Sequence, residues 1–497
     1  MKIILEKLNY IKKNYLTEAI ILIIMASVLL NTLFIYPVIG RFNNGDFDRL
    51  MTYGGISEIG KNYHEIYDGF MHTKYLISDP GVLLPFYWDW VSIAVLVKLA
   101  VILSSVINGF STKIFDIRYL SVIYCAMFLT GNFLILSYKR FSKTIKIAAG
   151  AFNILFFTST CYIAYFNSFY GEAGTIVFFF LNIGTYLHLI TKDKPKVRDF
   201  VCFFIASGGF LTAKSQNLPL FVFMLIIYGS LYYFYKEKSY RKSIIIGSAV
   251  VFVFCFISYF SLTNTIKENN IFQSVFTGVL RGSKTPEKDL EYLGLNKKLA
   301  AFSGHSFYNK DKGLDPLGKD MMKEFYPNIS NWKVLRFYLT HPDRMWQKIE
   351  DAADSAYSFS KPGKWSFEKN QFNTEKKLNN FRVYLIDKFP AFHHNVYWYI
   401  VFSVAYFVIS VFYLIRSSEK DIKLLNLMVI FILISGASQF ILPVIGAGHG
   451  DFDKHLFLLN LSYDVMFGIA LLWWLHIVEK SICAIKFKIR RGVTLNE

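Results

Sequence analysis

WVSIAVLVKLAVILSSVI, Trp90–Ile107, is apolar enough to count as a membrane-spanning helix, and the side on which every later loop falls depends on whether it crosses. If it crosses, the basic loops that follow face away from the side holding the amino-terminal residues. If it lies flat, those loops and both basic termini share one side. Lys98 and the short apolar length suit a helix resting in the membrane interface.

The surrounding chain sets the frame for that choice. Of 497 residues, 54% are hydrophobic, 18% aromatic and only 18% charged, and the apolar residues come in long runs. A bilayer core takes about 20 helical residues to cross, so the composition is that of a polytopic membrane protein. The first run is long enough to span and lacks a small-residue cleavage site, so no cleavable signal peptide is expected. Spans are expected near 17–39, 119–137, 147–165, 173–190, 199–213, 218–235, 244–262, 396–415, 424–442 and 456–476. The loops YKRFSKTIK (138–146), TKDKPKVRD (191–199), KEKSYRKS (236–243) and RSSEKDIK (416–423) are rich in Lys and Arg, which places them in the cytoplasm with both termini. The outer face then receives 40–118, FNSFYGE (166–172), TAKSQNLP (212–219), LPVIGAGHGDFDKH (442–455) and the insert 263–395. This works only if 90–107 stays on the outer face as a juxtamembrane helix. The alternative with eleven spans turns the basic loops outward.

The same topology accounts for the net charge of +18 without nucleic acid, because the basic residues sit in short loops between apolar runs. The five cysteines, Cys125, Cys161, Cys202, Cys255 and Cys483, fall in apolar runs or the basic tail, with no CxxC pattern. They read as lipid- or core-facing residues, not as a disulfide framework.

Two outer stretches repeat a charged phrase: NGDFDRL at Asn44–Leu50 and HGDFDKH at His449–His455. Their flanks differ, so this is no internal duplication, yet both lie beside outer span ends. FYGEAG contributes Glu172 and LTAKSQN contributes Lys214 at the same level. Charges at membrane margins are costly unless hydrated or paired, which makes them functional candidates. Singly, each also reads as a solvated loop residue. Together they supply what displacement of a lipid phosphate needs. A sugar on polyprenyl phosphate presents its anomeric carbon at the membrane surface, a carboxylate takes the proton of the attacking acceptor hydroxyl, and cations stabilise the departing phosphate.

Asp46 is the first candidate base, because Gly45 frees the backbone just outside the first span. Asp48 is the alternative, and one of the two pairs with Arg49. Glu172 either orients the acceptor, holds a metal or caps its helix. A divalent ion, Mg or Mn, could bridge it to Asp46, but no diagnostic metal spacing is present. Lys214 suits a phosphate or snorkels from a short span. Arg49, His449, Lys454 and His455 complete the candidate phosphate-binding cations, although Gly446, Gly448 and Gly450 equally suit an ordinary turn. Asp451 and Asp453 are further candidates for acceptor or metal. Asp464, inside the last span beside Tyr463, reads as a buried hydrogen-bonding residue.

These motifs, in this order, resemble the GT-C superfamily of integral-membrane glycosyltransferases. LLPFYWDWVSIAVLVKLAVILSSVINGFSTKIFDIRYLSVIYCAMF is similar to that family's Pro-Tyr-Trp start, apolar helix and Arg opening the second span. YGEAGTIVFFFLNIGTYL resembles its second outer loop, and GGFLTAKSQNLPLFVFML its Gly-Leu-x-x-Leu-Thr-Lys segment, here with Ala213 before Lys214. GHGDFDKHLFLLN and SVFTGVLRGSKTPEKDLEYLGL resemble hexosyltransferase-like proteins of bacterial surface-glycan clusters. The resemblance implies an all-α membrane protein, a GT-C-like bundle of about ten transmembrane helices with outer-face juxtamembrane helices and a mainly helical outer insert. It implies a hexosyltransferase using a polyprenyl-phosphate sugar and a surface-glycan acceptor, with its active site on the extracytoplasmic face of the cell membrane.

By this reading, 1–262 is the catalytic transmembrane module with first outer loop 40–118, 263–395 the insert, and 396–497 the last spans and basic tail. The insert departs from many superfamily members, which carry a soluble domain after the last span. Its WKVLRFYLTHPDRMWQKIEDAADSAY reads as helical, broken at His341-Pro342. Trp332, Trp346 and Trp365 suit sugar stacking or, for most, core packing. Two other functions compete: a transporter or flippase for a lipid-linked glycan, and a non-catalytic partner in glycan assembly. The former calls for mid-membrane charges and related halves, which the sequence does not show.

Overall fold

The computed structural model describes residues 14–78, 89–308, 314–360, 363–371, 375–450 and 452–493, with the side chains of Asp453 and 486–493 left aside. Among these, eight helices are long and apolar enough to cross a membrane: Leu16–Leu33, Arg118–Leu136, Gly171–Ile190, Ser215–Phe234, Lys238–Phe260, Val396–Arg416, Lys420–Phe440 and Phe457–Ile485. A bent pair, Lys143–Phe157 and Thr160–Asn167, makes a ninth. The tenth expected span forms the 15-residue helix Val197–Leu211. Lys214 pairs with Glu172 at one end of it (2.7 Å), and Lys192 pairs with Asp199 at the other (2.8 Å). It therefore runs antiparallel to Gly171–Ile190 along that helix's full length, which is the geometry of a crossing.

Ionic contacts show which loops share an end. Arg140 pairs with Asp421 (2.7 Å) and Glu419, Lys146 with Glu18 (2.5 Å), and Ser142 Oγ donates to Glu479 (2.9 Å). Tyr235 OH donates to Leu189 O (3.3 Å), and Lys420 Nζ lies 4.0 Å from the Tyr235 ring centroid, which brings loops 191–199 and 236–243 beside 416–423. The basic loops thus gather at one end of the bundle, with the start of the first helix.

The deciding stretch forms the helix Ile93–Asn108, too short to pass as a span. Before its first turn, Ser92 N donates to Thr212 O (3.0 Å), and Ser258 Oγ donates to Trp90 O (3.0 Å). In its last turn, Asn108 Nδ2 donates to the hydroxyl of Tyr119 (2.8 Å), in the first turn of Arg118–Leu136. All of these partners lie at helix ends opposite the basic loops, so both ends of Ile93–Asn108 are on one face. It lies flat, as expected. Arg118 does open the second long helix, while Pro85, Tyr87 and Trp88 of the quoted motif fall outside the described residues.

Three expected spans differ in the structure. The first helix stops at Leu33, and Ile39–Gly40 leaves it as a short strand paired with Ser366–Phe367 of the insert. The span expected at 147–165 bends by 64° after Phe157. The cause is Asn379 of the insert, whose Nδ2 donates to the carbonyls of Ile154 (2.9 Å) and Leu155 (3.2 Å) and whose carbonyl accepts from Thr160 N (2.8 Å). A side chain inserted into the helical ladder is a common origin of sharp kinks. The last helix continues to Val493, 37 residues in all, well beyond 476.

Gly171–Ile190 is the central helix, with every residue but Gly171, Leu181 and His188 buried. Around it Phe128, Phe157, Phe166 and Phe180 pack edge to face, with Phe157–Phe180 centroids 4.9 Å apart. Between membrane helices van der Waals packing replaces the hydrophobic drive, and such ring pairs contribute about 0.5–1.5 kcal/mol each. These four phenylalanines thus serve helix packing. The all-α expectation holds apart from small strands: Ile56–Ser57, Lys74–Ile77 and Ile114–Asp116 make a three-stranded antiparallel sheet in the first loop.

The insert is mainly helical and sits on the end opposite the basic loops. Its helices Asn331–Thr340 and Pro342–Ser355 break at His341, as the proline predicts. Trp332 is exposed, and Trp365 packs against the core.

Candidate functional site

The loop after the first helix is built to hold one carboxylate outward. Asn43 Oδ1 accepts from Gly45 N (2.8 Å), a turn that places Gly45 at φ 104°, where only glycine is unstrained. Phe47 is buried edge-on against Phe169 and Tyr170. The Tyr170 hydroxyl donates to Asn44 Oδ1 (2.6 Å), fixing the loop from the central helix side. Between these anchors Asp46 is left 49% exposed and paired with Lys454.

Asp48 opens the short helix Asp48–Gly54. Burial, then the Glu58 and Asp46 charges, push its carboxyl above the usual range. It does not pair with Arg49, contrary to expectation. Arg49 Nε donates to the carbonyl of Asp89 (2.6 Å) instead. Arg49 therefore ties the first loop to the start of the flat helix through Nε, while its Nη2 is buried without a hydrogen-bond partner among the described residues.

Glu172 lies in the first turn of Gly171–Ile190, and its side chain is 2% exposed. Lys214 Nζ donates to it at 2.7 Å and to the carbonyl of Lys454 at 3.3 Å. A Cβ on Gly171 would come within 2.8 Å of Lys214 Cγ, so glycine there admits the lysine stem. Glu172 is thus both a helix-start carboxylate and the partner of Lys214. Next to it, His455 Nδ1 lies 3.2 Å from Gln216 Oε1, and Gln216 Nε2 also donates to His455 O and Gln439 Oε1.

Four stretches far apart in sequence therefore meet: Asp46, Glu172, Lys214 and Gln216, and Lys454 and His455. Lys454 Nζ also lies 5.7 Å from the Tyr170 ring centroid. His449 falls elsewhere. Its N–H bonds Thr277 Oγ1 (3.1 Å), its ring packs on Phe452, and burial, then Arg281, hold its pKa below the ordinary histidine value. It faces the insert at Thr277 and makes no contact with Asp46 or Lys214 among the hydrogen bonds of the described residues. Asp451 and the side chain of Asp453 lie outside the described residues. Among the described residues, no group of three or more His, Cys, Asp or Glu side chains is placed to hold a metal.

Asp464 is, as read, a buried hydrogen-bonding group. It accepts from Tyr162 OH (2.6 Å), Tyr357 OH (2.9 Å) and Arg382 Nε and Nη2 (2.7 and 2.6 Å). Sequence reading missed Arg382, the insert residue that answers it. Its only signal was a lone arginine in an aromatic-rich stretch.

No curated protein matches the chain significantly. Among solved structures, the archaeal oligosaccharyltransferase AglB from Archaeoglobus fulgidus, in complex with an inhibitory peptide and a dolichol-phosphate, aligns at TM-score 0.39 and 13% identity. The alignment covers 96% of this chain and 52% of AglB, so the chain spans about half of that protein's length. The model of the YfdI N-terminal transmembrane domain matches residues 5–491. The chain belongs to that family and is a GT-C-like membrane protein.

Proposed function

We propose that this protein is a membrane glycosyltransferase that moves a hexose from a polyprenyl-phosphate donor to a surface-glycan acceptor outside the cytoplasm. The observation that carries the reading is the meeting of Asp46 with Lys454 and of Lys214 with the Lys454 backbone at one end of the bundle. A half-exposed carboxylate paired with one ammonium group, with a second ammonium group bound to the carbonyl of that same lysine, is suited to the reaction. Asp46 accepts the proton of the acceptor hydroxyl as its oxygen bonds the anomeric carbon. The bond from that carbon to phosphate breaks, and the electron pair leaves with the phosphate oxygen. Lys454 and Lys214 oppose the charge that grows there, with His455 alongside. Glu172 holds Lys214 in place.

The positive-inside rule supports an extracytoplasmic site, because the basic loops gather at the other end. Asp451 and Asp453, with Glu172, are the carboxylates we assign to the acceptor or to a divalent ion, Mg²⁺ or Mn²⁺. The test is transfer from polyprenyl-phosphate hexose in vesicles holding the full chain, with and without a chelator. Sugar transferred to an extracted surface glycan supports the reading. Movement of intact lipid-linked glycan across the vesicle, without transfer, supports a flippase instead.

A further inference from the structure

A second feature lies away from the carboxylate–lysine cluster. A cavity of about 370 Å³ opens where the insert meets the last helices, walled by Phe156, Phe389, Phe392, Trp398, Phe402 and Phe467. The volume is in the range of small-ligand pockets, roughly 300–1,000 Å³. Tyr165, Phe457 and Phe359 pack edge to face in series between it and the cluster, with successive centroids 5.0 and 5.3 Å apart.

Its polar lining is turned inward on itself. Asp464 takes donors from Tyr162, Tyr357 and Arg382. Arg382 Nη1 lies 2.8 Å from His393 Nε2, and His393 Nδ1 lies 2.7 Å from Phe389 O. Arginine can only donate and a carbonyl can only accept, so His393 is the neutral tautomer protonated at Nδ1. The Tyr399 hydroxyl donates to His393 O (2.7 Å), and the Tyr463 hydroxyl pairs with Ser403. A sugar or phosphate entering here meets aromatic carbon and polar groups already engaged with one another. Apolar filling is what such walls favour.

The rim shows where that filling comes from. Phe389, Phe392, Trp398 and Phe467 are 46%, 47%, 43% and 50% exposed. Trp398 and Tyr397 stand in the first turn of Val396–Arg416, next to Trp346, and form an aromatic band of the kind found at the membrane interface. Val401 and Val404, a turn further along, are exposed apolar residues of the same span. The mouth therefore opens on lipid.

We infer that this cavity holds one hydrocarbon chain of a membrane lipid, inserted sideways from the bilayer. The inference does not rest on the glycosyltransferase reading. The test uses the full-length protein in nanodiscs, with a diazirine on the acyl chain of phosphatidylglycerol in one arm and on a polyprenyl alcohol in the other. Peptides are mapped by mass spectrometry. Labelling concentrated on Phe389–Phe402 and Tyr463–Phe467, and competed by excess unlabelled lipid, is the expected result; the arm that labels identifies the chain. Leu385→Trp fills the cavity and should reduce that labelling roughly tenfold, equivalent to about 1.4 kcal/mol of binding. Labelling on the lipid-exposed helix Phe221–Phe234 should stay unchanged. Phe402→Trp serves if Leu385→Trp misfolds. Labelling no denser than on Phe221–Phe234, or not competed by unlabelled lipid in the unmodified protein, overturns the proposal.

Discussion

Lys454 and Asp46, 408 residues apart in sequence, form an ion pair that joins the two Gly-Asp-Phe-Asp phrases. The Asp46 carboxylate is half-exposed while the Lys454 stem is mostly buried, and solvent at the carboxylate screens the charge part of the pair to about 0–1 kcal/mol. Exchanging one partner for substrate therefore costs little. Lys454→Ala should leave the melting temperature nearly unchanged and raise the KM for a polyprenyl-phosphate donor. A charge-assisted contact is worth about 1.5–3 kcal/mol. Thermal unfolding and donor titration on the same membranes check both halves, and an unchanged KM would remove Lys454 from the phosphate site.

Lys214 behaves differently because its partner is buried. Lys214→Ala leaves Glu172 uncompensated, and breaking a buried pair costs about 3–5 kcal/mol. The single variant thus loses stability as well as donor use. Lys214→Met with Glu172→Gln removes both charges and should recover most of the stability without recovering donor use. If the double variant regains both, Lys214 is a structural partner of Glu172 only.

The helical bundle, the flat helix and the meeting of the four charged phrases were legible because apolar run length, basic loops and span-end charges follow directly from bilayer solvation. The break after Phe157 was not legible. It is caused by Asn379, a polar residue in a loop more than two hundred positions away, and local periodicity carries no trace of it. The contact that Arg49 makes was not legible for a similar reason. Adjacent Asp48 and Arg49 look like a pair in sequence, but the short helix they open turns Arg49 toward Asp89. His449 sits in the same phrase as Lys454, yet a few residues of turn carry it to the insert.

Stability should fall in mild acid. Burial, then the Arg382 charge, lowers His393 to about 4 from its ordinary 6.5, and burial lowers His449 as well. Below pH 6.5 the unfolded chain takes up protons that the folded state refuses, so stability is complete above that pH and is lost as pH falls toward 4. For His393 the loss is roughly 2 kcal/mol, less than the full shift because solvent reaches part of the ring. His393→Gln keeps an acceptor for Arg382 and should flatten the dependence of melting temperature on pH across this window. An equally steep dependence in the variant would assign the effect to other groups.

The flat helix makes a labelling prediction. Cysteine at Ser111, just beyond Ile93–Asn108, should react with an impermeant maleimide from outside the cell. Cysteine at Ser142, in a basic loop, should react only after permeabilisation. Both serines are exposed in the fold, so packing does not shield either position and the reagent's side of access alone decides the outcome. Reaction of Ser111→Cys only from the cytoplasm would reverse the orientation and place Asp46 inside.

Asp46→Asn is the decisive substitution for the chemistry. Asp46 is held outward by the Asn43–Gly45 turn and the buried Phe47, neither of which needs its charge. The variant should therefore insert and fold as the parent does. Asparagine keeps the size but cannot take the acceptor's proton, and base catalysis contributes about 10²- to 10⁴-fold, so transfer should fall by that order while donor binding persists. Asp48→Asn is the control. Arg49 is anchored on the Asp89 carbonyl rather than on Asp48, so this change does not release the arginine, and asparagine is accepted at a helix start. The comparison is made on a polyprenyl-phosphate hexose donor at matched membrane abundance. Loss confined to Asp48→Asn moves the base two residues along and agrees with its raised carboxyl, which would carry the proton at higher pH. Full activity in both variants removes the first loop from the chemistry and leaves the Glu172–Lys214 pair as the group to test next.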